Sequence, residues 1–274
     1  MGRCIARLIA GATLLIVTGI GQQHSRSEDG QASRPVLKPY SALVAGVSPG
    51  IAPGAAASLF GDNLAPGVVI ASPSYPPALG GVTLQVTDSA GVARTARLLY
   101  VSPKQINYIV PAATAVGPAT IQTAGQSSVS AVVHVDAVLP ALFTADADGK
   151  GVVAATAERR LSPGGPTFLI PVFQCAAPGN CTSVPLDPGV DAPVTVTLYA
   201  TGIHKRARDS NVTLSIGGTQ VPVTSVTSYN EDSPMAGIDQ VVFPLVLTLR
   251  GKGEVDVVLT VDRVASNAGR INIQ

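Results

Sequence analysis

Val82-Thr83-Leu84-Gln85-Val86 and, 130 residues later, Val212-Thr213-Leu214-Ser215-Ile216 decide how this chain is expected to fold. Each alternates an aliphatic residue with a polar one, so residues at i, i+2 and i+4 fall on one side of an extended strand. Val82, Leu84 and Val86 then suit a core, and Thr83 and Gln85 suit water. Working outward, the same short runs recur between Gly, Pro, Asn and Asp clusters. They are Arg97–Val101, Gln105–Val110, Ala119–Thr123 and Val129–Val135, with Val194–Ala200 further on. Beyond residue 22 no segment sustains a helical period with caps at both ends, and parallel βαβ units need helices of about ten residues or more between strands. The expectation is an all-β chain of antiparallel sandwiches.

The landmarks repeat in order. Gln105-Ile106 before Pro111 answers to Gln240-Val241 before Pro244, and Gly117–Ile121 answers to Gly253–Val257. Gln126-Ser127-Ser128 answers to Ala265-Ser266-Asn267, each ahead of a last strand. The offset grows only from 130 to 139 residues, which small loop insertions supply. Two homologous modules are the simplest account. Residues 41–137 form the first and 138–274 the second, with Leu139-Pro140-Ala141-Leu142-Phe143 opening the latter.

Composition agrees. Hydrophobic residues make up 46% and charged residues 13%, which excludes a disordered chain, and 28 Gly with 22 Pro disfavour a helical bundle. Arg3 and Arg7 precede a 13-residue, largely apolar run from Leu8 to Ile20. That is the pattern of an export signal over residues 1–22, followed by a polar linker over 23–40 containing Pro35 and Pro39. The run is shorter than the ~20 residues that cross a bilayer. Cys4 precedes it and is given no role. Loss of Arg3 and Arg7 leaves 16 basic against 17 acidic residues. Such a near-neutral chain has no overall attraction for nucleic acid or an anionic membrane.

Cys175 and Cys181 remain, with five residues between them that include Pro178-Gly179. In an oxidising compartment they are expected to form a disulfide that pins a loop, contributing about 2 kcal/mol for so small a ring. A redox or metal role lacks Cys-x-x-Cys spacing and a nearby His.

Ala52–Gly67, Leu79-Gly80-Gly81-Val82-Thr83 and Leu99–Asn107 together resemble an uncharacterised domain family, named after Solibacter, found mostly at the C-termini of exported acidobacterial proteins. Tyr199–Ile203, Ser215–Gly218, Gly237–Gln240 and Gly253–Val261 are similar to the same pattern, and Phe60–Leu64 resembles the opening of a TIG-type immunoglobulin-like domain. The third position of Gln-x-Asn, kept at Asn107, is Val242 in the second half. The resemblance covers residues 41–274 and implies tandem TIG-type sandwiches and export. It implies no activity.

Chemistry is sparse in the sequence. No Gly-x-Ser-x-Gly elbow is present, and the three histidines, His24, His134 and His204, read as linker, strand surface and loop. No catalytic residue, cofactor or metal site is expected. Asp146–Gly151 has part of a calcium-loop pattern but lacks its closing Glu and reads as a turn; Asp187 and Asp191 are the other acids within reach of such a reading. His204-Lys205-Arg206-Ala207-Arg208 is the one basic cluster, a solvated loop and the one candidate interaction loop. A stacking platform for sugars would have to come from Tyr40, Tyr75, Tyr100, Tyr108, Tyr199 and Tyr229, because there is no Trp.

The leading expectation is therefore a non-enzymatic binding or structural module of the cell envelope or extracellular space. Its partner would be an envelope protein or glycan, met by loops at the sandwich ends. A secretion or assembly domain, and a hydrolase using acidic residues, are the alternatives.

Overall fold

The computed structural model describes residues 38–40, as backbone only, together with 50–72, 74–125, 128–162, 164–190 and 192–274. The export signal, Cys4, His24 and Asp191 lie outside the described residues. The chain is all-β. In its first half the strands are β1 (Lys38–Tyr40), β2 (Gly50–Ile51), β3 (Ala56–Phe60), β4 (Val69–Ile70), β5 (Ala78–Leu79), β6 (Val82–Thr87), β7 (Ala93–Thr95), β8 (Arg97–Val101), β9 (Gln105–Ile109), β10 (Gly117–Ala124) and β11 (Val129–Val135). One sheet runs β1-β3-β9-β8-β4; the other runs β2-β11-β10-β6-β5, with β7 also on β6. A single core lies between them. Leu59, Leu98, Ile106 and Tyr108 reach it from one sheet, and Val82, Leu84, Val86, Ile121 and Val135 from the other.

The second half holds β12 (Ala141–Leu142), β13 (Ala155–Arg160), β14 (Thr167–Ile170), β15 (Phe173–Ala177), β16 (Asn180–Ser183), β17 (Val194–Thr201), β18 (Val212–Ile216), β19 (Thr219–Val221), β20 (Ser225–Ser228), β21 (Asp239–Pro244), β22 (Gly253–Val261), β23 (Val264–Ala265) and β24 (Gly269–Ile273). Its sheets run β14-β13-β17-β21-β20, with β12 on β17, and β19-β18-β22-β23, with β24 on β22. They enclose a second core that includes Val196, Leu198, Val241 and Phe243 facing Leu214, Ile216, Leu259 and Ile271. Both halves are sandwich-like.

The alternation in the opening stretches places its residues as written. Val82, Leu84 and Val86 are fully buried while Gln85 is exposed, and Val212, Leu214 and Ile216 repeat the pattern. One boundary differs. Lys38–Tyr40, read as the end of a linker, pairs antiparallel with Phe60, Leu59 and Ser58 and so extends the first sheet. The Cys175–Cys181 disulfide is present, and it joins facing residues of the β15–β16 hairpin. The Ala177-Pro178-Gly179-Asn180 turn closes that hairpin, with Gly179 in the left-handed region that a tight turn favours.

Contacts join the halves. Thr201 at the end of β17 accepts a hydrogen bond on Oγ1 from the Ala56 amide at 2.9 Å and donates to the Gly237 carbonyl at 2.7 Å. The β20–β21 loop reaches across. Asp232 pairs with Arg97, Glu231 accepts from the Ala112 amide, and the Pro234 carbonyl accepts from the Tyr75 hydroxyl at 3.2 Å. Ala236 packs with Tyr75 and Ile109.

Candidate functional site

The basic cluster lies in the loop from Gly202 to Asn211, where β17 ends and the chain crosses to β18. Folding divides its residues. Arg206 turns inward, its side chain 12% exposed. The guanidinium donates to Asp209 Oδ1 at 2.6 Å, to the Ile203 carbonyl at 3.2 Å, and to Ser228 Oγ (2.8 Å) and the Val226 carbonyl (3.3 Å) on β20. It therefore staples the loop to the edge strand, contrary to its reading as part of a solvated run. A fork of fixed donors can satisfy four acceptors at once, which a lysine cannot. Lys205 and Arg208 are exposed.

His204 is also corrected. It is half-buried, and its ring lies so close to Gly54 of the first half that a Cβ there would stand 2.9 Å from His204 Cγ. Burial, and then the charges of Lys205 and Arg206, hold its pKa below the ordinary value of 6.5. A neutral imidazole filling a joint between halves is the result. Glycine at 54 makes that approach possible.

The loop's far side is tied to the β22–β23 turn. Asp262 accepts from the Ala207 amide at 2.8 Å and from Asn211 Nδ2 at 2.5 Å. Asp262 and Arg263 both have positive φ, +48° and +71°, as a two-residue hairpin turn demands. Glycine usually takes the second place, since a side chain there is strained by about 1–2 kcal/mol. Arg263 keeps its exposed guanidinium in that position, beside a shallow cleft lined with Asn211, Thr213, Thr260 and Asp262. Lys205, Arg208 and Arg263 thus form a basic rim, with Asp209 and Asp262 set among them.

Beneath the loop is a group the sequence reading missed. Asp239 is 3% exposed and shares the core-facing side of β21 with Val241 and Phe243. Its Oδ2 accepts from the Ile203 amide at 3.1 Å, and Ser228 supplies a side-chain hydrogen bond. Burial raises its pKa to about 6, against the opposing pull of Ser228, Ile203 and Arg206. The signal was available: an acid in phase with two apolar residues at i+2 and i+4 has to be buried if they are.

A pH dependence follows. Between about pH 4 and pH 6 the folded chain holds the Asp239 proton while the unfolded chain has lost it, so stability falls as pH rises through that window. Asp239→Asn keeps an acceptor for Ile203 and remains neutral. It is expected to remove that slope and to stabilise the chain at pH 7 by on the order of 2 kcal/mol, read from urea midpoints across the window.

Other expected candidates are occupied otherwise. Asp148 Oδ1 accepts from the Lys150 and Gly151 amides at 2.8 and 3.1 Å, and Asp146 Oδ1 accepts from the Cys181 amide at 2.7 Å. These carboxylates serve a turn and the disulfide hairpin. Asp187 faces Arg159 and Arg250. His134 does have an acid beside it, Asp136 at 3.6 Å, but both are well exposed on the strand surface. Among the described residues no His, Cys, Asp and Glu side chains group as metal ligands, and no helix is long and apolar enough to cross a membrane.

Tyr75, Tyr100, Tyr108 and Tyr199 are buried, so four of the six tyrosines are withdrawn from any sugar-stacking surface. Neither a family model nor a curated protein matches this chain.

Proposed function

We propose that this protein is an exported, non-enzymatic binding or structural module, built from two tandem immunoglobulin-like sandwiches of the TIG type, in the cell envelope or extracellular space. The observation that carries the reading is the repeated strand order. Strands β3, β6, β7, β8, β9, β10 and β11 have counterparts β17, β18, β19, β20, β21, β22 and β24, in the same chain order and with the same neighbours. The entry segments agree as well: Ile51 pairs parallel with β11, and Val152 and Leu186 make parallel bridges to β24. The repeated landmarks at Val82, Gln105 and Gly117 fall on β6, β9 and β10, and their counterparts at Val212, Gln240 and Gly253 fall on β18, β21 and β22. This supports the resemblance to the Solibacter-type family.

Export is supported by the leader pattern and by a disulfide that persists in oxidising compartments. Binding is assigned to the rim of Lys205, Arg208 and Arg263, because Arg263 holds an exposed charge at a left-handed turn position that glycine usually fills, next to the exposed cations of the loop. Burial of the tyrosines favours an acidic protein face over a glycan as its partner. The test is retention of envelope proteins on immobilised full-length protein at moderate salt. Charge reversal at Lys205, Arg208 and Arg263 together should abolish retention, and retention that survives the triple reversal contradicts the reading.

A further inference from the structure

The two edges of the β14-β13-β17-β21-β20 sheet are treated differently. At the β20 edge, Arg206 donates to the Val226 carbonyl and to Ser228, so a charged side chain guards the strand. At the other edge stands β14, Thr167-Phe168-Leu169-Ile170, paired with β13 on one side only. Phe168 is 50% and Leu169 67% exposed, although they point to opposite faces. No Asp, Glu, Lys, Arg or His occurs between Arg160 and Asp187. Open strand edges are ordinarily protected by charge, because their unpaired main-chain groups accept another strand. This one is short and bracketed by Pro166 and Pro171, which limits the addition to a few residues and discourages open-ended growth.

We propose that β14 is a docking edge for a second copy of this chain, pairing antiparallel with its own counterpart about a two-fold axis through Phe168. The register follows from the faces. Paired residues must share a face, so the axis passes through a residue, and Phe168 is the choice that charge selects. Glu158 lies opposite Leu169 and Arg160 opposite Thr167 on the outer face. With the axis at Phe168, Leu169 of one copy faces Thr167 of the other, and each row reads Glu158, Leu169, Thr167, Arg160 across four strands. Three strand spacings put the row's ends about 14 Å apart, within the joint reach of a glutamate and an arginine leaning over Leu169 and Thr167. An axis at Leu169 would put Glu158 in line with Glu158. The Phe168 register sets two phenylalanine rings against each other and yields about four main-chain hydrogen bonds, a small interface suited to a concentration-dependent dimer. It is isologous and closes on itself, so it stops at two copies.

Sedimentation of the full chain over a range of concentrations tests this. The wild type should show a monomer–dimer equilibrium. L169K, which removes an apolar contact, engages Glu158 of its own copy and turns a like charge toward the partner's Arg160, should weaken it at least ~10-fold, with the thermal midpoint of the monomer unchanged. E158R, which sets like charges in each row, should weaken it about 2–5-fold, and the E158R/R160E double variant should recover wild-type association. A monomer throughout, or a dimer that L169K leaves intact, overturns the proposal. Failure of the double variant to recover overturns the register through Phe168. These outcomes do not depend on the Lys205, Arg208 and Arg263 rim.

Discussion

Replacing Gly202 by alanine is expected to cost about 2–5 kcal/mol of folding stability. Gly202 follows β17 with φ of +81°, and a Cβ there would stand 2.0 Å from the Leu139 carbonyl oxygen. Neither chain can yield, because the Leu139 amide donates to the Gly202 carbonyl at 2.8 Å and fixes the two backbones together. The substitution therefore adds a steric displacement to the ordinary cost of the left-handed region. Gly218 provides the comparison. Its φ is +78°, but nothing lies within 4 Å of a Cβ built on it, so Gly218→Ala should cost only about 1 kcal/mol. Urea unfolding of both variants separates conformational strain from packing. Equal losses would mean that the crossing of Leu139 over Gly202 is not close-packed.

Phe243→Ala should be comparably severe, at about 3–5 kcal/mol. Phe243 is 0% exposed, lies opposite Val196 in the β17–β21 ladder and meets the other sheet's side chains in the second core. Its counterpart in the first half is Tyr108, also fully buried. Removal of a ring from a site closed by two hydrogen-bonded sheets leaves a cavity that neither sheet can collapse into. Phe243→Leu should lose under about 1.5 kcal/mol, since most of the volume survives. Chemical denaturation monitored by circular dichroism distinguishes the two.

Where sequence and structure agree, the cause is local. Period-two alternation is a property of a single strand, so the buried faces of β6 and β18 can be read without knowing their neighbours. Repetition of landmarks required nothing more than order along the chain. The disulfide was legible from spacing, whereas its place in a hairpin depended on the register of Cys175 with Cys181. What could not be read is set by partners far off in the chain. Arg206 appears as one of several charges until β20 supplies Val226 and Ser228, and His204 appears solvated until Gly54, 150 residues earlier, comes against it. Lys38–Tyr40 reads as linker because a three-residue strand has too little pattern to recognise. Asn107 and Val242 also part for a tertiary reason. Asn107 is buried, and its Oδ1 accepts from Ser58 and Gln105 at 2.8 and 2.7 Å, while Val242 sits on a more open face.

Thr201, the β20–β21 loop and the packing of Ala236 on Tyr75 and Ile109 hold the two sandwich-like halves as one body. Electron–electron distance spectroscopy between spin labels at Gln122 and Gln220, both exposed and in opposite halves, tests this most directly. A single narrow distance distribution is predicted, and Thr201→Val, which leaves the Ala56 amide and the Gly237 carbonyl without their shared partner, should broaden it. A broad distribution in the unaltered protein would contradict the account.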